Sequence, residues 1–187
     1  LEHSKIVDYA NSEDRSDFLD IWLMANCYFA ISSSAGLDAV SEVFRRPIVF
    51  VNHLPVGQLK TGSTQHIELF KKLRKKETKD LMGITQQIST GAIYFESSQR
   101  YEAQGIEIEN NNEDEIMEVI LEMETRLKGE WVSKLDDEIL HEKFYSILET
   151  WDKYHVYHGI HRSRVSTKFL RDNRHLLCLI LQQIDVT

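Results

Sequence analysis

Ser32, Ser33, Ser34, Ala35 and Gly36 stand in one run between two apolar segments. Small side chains let an anion approach the backbone, hydroxyls add hydrogen bonds, and glycine takes a positive φ without steric cost. The run therefore suits the seat of a phosphate group. It equally suits a helix N-cap, with Ser34 capping a helix that begins near Ala35. Residue types alone leave both readings open. Asn52 ends the second apolar segment and would face the same crevice. Asp38 and Glu42 follow the run one helical turn apart and could reach the hydroxyls of a sugar or ribose, although a solvated helix face accounts for them as well.

Other candidates are weaker. Lys71, Lys72, Arg74, Lys75, Lys76 and Lys79 form a basic run that could meet a phosphorylated ligand or an anionic membrane surface, and that also reads as a solvated edge. His155, His158 and His161 recur at spacing three, as metal ligands can, but no cysteine or carboxylate is placed to complete a site, so a loop or partner surface is the better reading. No Ser-His-Asp order, Walker-type loop or dinucleotide glycine pattern occurs, which leaves hydrolase, NTPase and dehydrogenase readings without support. Cys27 and Cys178 are too few for a disulfide framework or zinc motif and are expected as buried small hydrophobes.

The elements that must position the serine run are legible around it. Residues 5–10 are β-branched and aromatic and predict a strand; residues 14–26 place Phe18, Leu19, Trp22 and Leu23 at helical spacing. Residues 27–31 and 47–52 are continuous apolar runs of strand length, as central parallel strands covered on both faces are. Between them, Leu37, Val40 and Phe44 mark a helix that must stop before Pro47. Strand, helix and strand of these lengths predict a right-handed parallel crossover, whose ligands gather at the carboxyl ends of the strands.

Further on, residues 53–66 read as a long loop, 67–73 as a short strand, 81–90 as a helix ended by Gly91, and 105–109 as a last strand. Residues 113–128 are the clearest helix, and 136–154 and 165–181 read as two more. The expected fold is α/β: a Rossmann-like parallel sheet with flanking helices over residues 1–131, and a C-terminal helical extension over 132–187 packing on it.

A 187-residue chain has room for one domain with a proper core, and its 42% hydrophobic and 28% charged residues are the balance of a folded protein rather than a disordered one. The formal charge of −8 opposes a general nucleic-acid binder. No apolar run approaches the roughly 20 residues needed to cross a bilayer, which points to a cytoplasmic chain. Leu1 in place of a methionine suggests a piece of something longer.

Taken together, YANS, the stretch DFLDIWLMANCYFAISSSAGLDAVSEVFRRPIVFVN, the later GIEIENNNEDEIMEVILEMETRLKGEW and the closing FLRDNRHLL resemble a family assigned to glycosyl transfer and encoded in bacterial surface-carbohydrate clusters, such as those for O-antigen and capsule. The resemblance runs from about Asp8 to Leu177. It implies the GT-B class, in which two Rossmann-like halves face each other and the C-terminal half holds a nucleotide-sugar donor without a bound metal or other cofactor. This chain would be that C-terminal half, partnered by a missing N-terminal half, with peripheral association at the inner face of the membrane. Ser33, Ser34 and Gly36 would lie against the donor diphosphate, with Ser32, Ala35 and Asn52 beside them. Asp38 or Glu42 would be the acidic residue near sugar or ribose, although the family pattern often sets a glutamate at a spacing that neither matches. A nucleotide-sugar epimerase or hydrolase shares the same half, and a non-catalytic binding or scaffold module using the acidic helix of residues 113–128 is the reading from outside enzymology.

Overall fold

A computed structural model describes residues 5–178. The expected crossover is present, but its first strand is shorter than residues 27–31 and lies at the edge of the sheet with Ile31 exposed, not covered on both faces. Helix α1 (Asp17–Asn26) leads into strand β1 (Ala30–Ser32), α2 (Asp38–Val43) follows, and β2 (Ile48–His53) returns parallel to β1 with Ala30 opposite Ile48 and Ser32 opposite Phe50. β3 (Ile67–Phe70) and the two-residue β6 (Arg164–Val165) extend the sheet in the order β1-β2-β3-β6, every pairing parallel. The protein is thus an α/β fold with a four-stranded parallel sheet flanked by helices. Parallel strands covered on both faces should be apolar throughout, and Ile48, Val49, Phe50, Ile67 and Leu69 are all buried.

The remaining elements are β4 (Lys72–Lys75), α3 (Ile84–Thr90), α4 (Ser98–Ala103), β5 (Ile106–Glu109), α5 (Glu113–Leu127), α6 (Leu135–Leu148), α7 (Tyr154–Tyr157) and α8 (Thr167–Asp172). α5 carries the strongest local signals. Asn112 and Glu115 form a capping box, three acidic residues occupy the first turn, and Gly129 stands just beyond the end at φ 73°.

Several expectations need correction. No strand spans residues 5–10: a single bridge at Ile6 is followed by the 3-10 turn Tyr9–Asn11, held by Asn11 Nδ2 donating to the Asp8 carboxylate and by Tyr9 Oη donating to the Ser16 carbonyl. α1 begins at Asp17 rather than near residue 14 because Ser16 Oγ caps it by accepting from the Leu19 N–H. Residues 67–73 split into two strands at Lys71. Residues 105–109 do form a strand, but β5 pairs antiparallel with β4 outside the main sheet. The last strand of the main sheet is instead β6, pinned by the Arg164 N–H donating to the His66 carbonyl at 2.9 Å and the Ser166 N–H to the Glu68 carbonyl at 2.8 Å.

The helix expected over 136–154 ends at Leu148. That over 165–181 is α8 plus the 3-10 turn Arg174–Leu177, and residues 179–181 lie outside the described ones. Cys27 is only half-buried and Cys178 is exposed, so neither is the buried small hydrophobe expected.

Residues 132–178 share the core of the sheet. Leu140, Phe144, Tyr145, Leu148, Val165 and Phe169 form one apolar cluster with Val49, Ile67, Leu69, Val119 and Met123. A buried carboxylate ties this region to α5: Glu122 accepts from the Thr167 N–H at 2.8 Å, from Thr167 Oγ1 at 2.6 Å and from the Arg126 guanidinium at 2.8 Å. The basic run is paired in part, and Lys75 and Lys76 are exposed as a solvated edge would be. On β4, Lys72 pairs with Glu109 and Glu115 and Arg74 with Glu109, while Lys79 just beyond pairs with Glu107. No helix among the described residues is long and apolar enough to cross a membrane.

Candidate functional site

The serine run turns the chain at the carboxyl end of β1, as a crossover requires. Ser34 has φ 64° and Gly36 φ 97°, both in the left-handed region. A side chain at Ser34 stands against that preference, and local bonds compensate: Ser32 Oγ accepts the Ser34 N–H at 3.0 Å, and Asp38 Oδ1 accepts the Gly36 N–H at 2.7 Å. Ser33, Ser34, Ala35 and Gly36 are exposed, and a Cβ built on Gly36 would meet nothing within 4 Å. The hydroxyls of Ser33 and Ser34 bond to none of the described residues. The turn is therefore a braced loop whose free hydroxyls face open space.

The other expected site residues separate from it. Asp38 is buried and committed to Gly36. Asn52, at φ 52° where the β2–β3 register shifts, is locked to Asn111: each side-chain oxygen accepts the other's backbone N–H at 2.7 Å, and Asn111 Nδ2 donates to the Phe70 carbonyl. Asn52 thus joins the carboxyl ends of β2 and β3 to the loop before α5. Glu42 stands one turn further along α2, where it lines a different cleft with Arg45, His66 and His161. Lys71 follows β3 at the carboxyl end of the sheet and pairs with no described carboxylate.

A buried polar pair beside this end of the sheet was not anticipated from the sequence. Glu68, wholly buried in β3, accepts from His53 Nδ1 at 2.5 Å with one oxygen and from the Lys60 N–H at 2.9 Å with the other. The His53 ring is sandwiched near Phe50 and Phe70, and its Nε2 has no partner among the described residues. The signal available was a glutamate inside the apolar run IELF, since a buried carboxylate demands a partner.

Glu68 fixes the start of the loop that leads away from β2, and aromatic packing fixes its next part. A Cβ on Gly57 would lie 2.6 Å from the Ile93 carbonyl oxygen and 3.1 Å from the Trp151 ring. Gly57→Ala is expected to cost about 1–3 kcal/mol by overpacking, read as a lower denaturant midpoint with unchanged slope; an unchanged midpoint would show that the loop does not pack this way.

Among the described residues no group of three His, Cys, Asp or Glu is arranged to hold a metal ion. The three spaced histidines diverge: His155 packs edge-on to Tyr154, His158 lies against Trp151 and Tyr154, and His161 lines the Glu42 cleft. Burial lowers the pKa of His158, against the nearby carbonyls of Leu59 and Gly57, which favour its charged form. Burial likewise lowers that of His66, with Glu68 opposing and Lys60 assisting.

No family model, curated protein or solved structure matches the chain. The functional reading accordingly rests on the fold and on the chemistry of the turn.

Proposed function

We propose that this chain is the donor-binding half of a glycosyltransferase that moves a sugar from a nucleotide-sugar to an acceptor of surface-carbohydrate synthesis. The observation that carries the reading is the braced serine turn at the carboxyl end of β1, with two free hydroxyls and open space above Gly36. Ligands of open parallel sheets bind at that edge.

In sugar transfer the bond from the anomeric carbon to the diphosphate breaks as an acceptor hydroxyl attacks, and negative charge grows on the leaving diphosphate. Donors held rigidly in advance stabilise that charge without reorganising. Ser33 and Ser34 hydroxyls would serve as such donors, and Lys71 would add a cation at the same end of the sheet. α2 has only six residues, so hydroxyls and not a helix dipole carry the binding. Asp38 acts indirectly, by holding Gly36.

Phe18 and Trp22 of α1, Ile31 of β1, and Tyr28 and Phe44 beside these elements are exposed. Exposed apolar residues on these elements fit a chain that works against a second unit, as a donor half would.

Calorimetry with a panel of UDP-, GDP- and dTDP-sugars tests the reading. One donor is expected to bind, and Ser34→Trp, which fills the open space, is expected to weaken it by about tenfold or more. Absence of binding across the panel, or equal binding by the variant, would refute the proposal.

A further inference from the structure

Away from the serine turn, two clefts of about 530 Å³ and 370 Å³ lie along residues 57–66 and share Glu42 and Gly62, so they form one continuous groove. Its walls are fixed. The Thr61 hydroxyl accepts the Gly159 N–H at 2.9 Å, which ties the segment after α7 to the loop after β2.

One end of the groove carries an aromatic shelf. Tyr157 is 48% exposed, and its ring stacks on Trp151 at 5.6 Å and 8° and on Tyr94 at 4.7 Å and 24°. A tyrosine so exposed yet held by two rings presents a rigid, amphipathic surface at little entropic cost. His158 lines the same end, with its ring nitrogens buried beside the Leu59 and Gly57 carbonyls.

The middle carries a carboxylate. Glu42 stands where the two clefts meet, 4.0 Å from Nε2 of the buried His66. His66 Nδ1 accepts the Ile48 N–H at 3.2 Å, which leaves the ring proton on Nε2, toward Glu42. A carboxylate offers two acceptor oxygens to a pair of hydroxyls and repels a phosphate. Arg45 lines one cleft and Lys60 the other, so the groove sets cations beside a carboxylate instead of forming one basic patch.

We infer that this groove binds an uncharged saccharide chain, with a sugar ring against Tyr157 and the hydroxyls of another at Glu42. Open walls that mix polar and apolar surface, a stacking ring and a central carboxylate suit a ligand rich in hydroxyls and poor in charge. None of these groups belongs to the serine turn, so the site stands or falls separately from the donor reading.

Saturation-transfer NMR on the full chain, with maltohexaose and chitohexaose as probes, tests it. At least one hexasaccharide is expected to receive saturation and to bind weakly. Tyr157→Ala is expected to weaken that binding about tenfold, Tyr157→Phe to retain it, and Glu42→Gln to reduce it; Ser34→Trp is expected to leave it unchanged. Thermal melts of each variant show whether it remains folded, and the parent chain with the two probes decides the matter if Tyr157→Ala does not. No transfer to either probe, equal transfer with folded Tyr157→Ala, or displacement of the saccharide by UDP would overturn the inference.

Discussion

Replacing Glu68 with alanine is expected to destabilise the protein by about 3–5 kcal/mol, the usual result of breaking a buried ionisable pair from one side. Glu68 is wholly buried, and both its oxygens are in use. Its loss leaves the buried His53 Nδ1 and the half-buried Lys60 N–H without their acceptor and removes buried volume beside them. The conservative Glu68→Gln keeps the volume and one acceptor oxygen, so its cost is expected to be roughly half as large. Denaturant unfolding of the two variants measures both. The effect should be local before it is global: exchange of the Lys60 amide is expected to accelerate in Glu68→Gln while amides of α5 remain protected. Equal stability of parent and Glu68→Ala would show that the pair does not hold the start of the loop after β2.

That pair also marks the limit of what the sequence alone discloses. The crossover was legible because CYFAI and PIVFVN are apolar without alternation and a helix-length segment ending before Pro47 separates them. α5 was legible because its capping box, acidic first turn and terminal glycine agree with one another. β6 was not: two residues cannot display a period, and their ladder partners lie nearly a hundred positions earlier. The His53–Glu68 contact likewise depends on a register that places Phe50 opposite Glu68.

The site residues show the same division. The position of the serine turn followed from local pattern. Which side chains it spends on itself did not, because a carboxylate two residues after Gly36 can turn back to its N–H or out to a ligand, and only packing decides between them. Asp38 is buried and turns back. Asn52 is taken by Asn111, a partner 59 residues away that no spacing rule reaches.

Acid is expected to weaken the fold well before the carboxylates titrate. His141 is buried on α6, and its Nε2 accepts the Val165 N–H at 3.1 Å, so the neutral ring is the form that β6 requires. Burial, assisted by the Arg164 charge, lowers its pKa from 6.5 to about 4. Between those two values the unfolded chain binds a proton that the folded one refuses. The stabilisation is therefore complete above pH 6.5 and falls as pH drops toward 4, by about 3 kcal/mol for a shift of this size. His66 and His158, lowered in the same direction chiefly by burial, add to the loss below pH 6.5. Asp137, whose pKa is lowered chiefly by its bonds to Arg171, extends it at more acid pH. His141→Gln supplies an acceptor that does not titrate. Compared with the parent at each pH, its stability is expected to have a slope between pH 6.5 and 4 that is shallower by up to one proton. Parallel curves for the two proteins would remove His141 as the source, and would place the acid sensitivity in the other histidines.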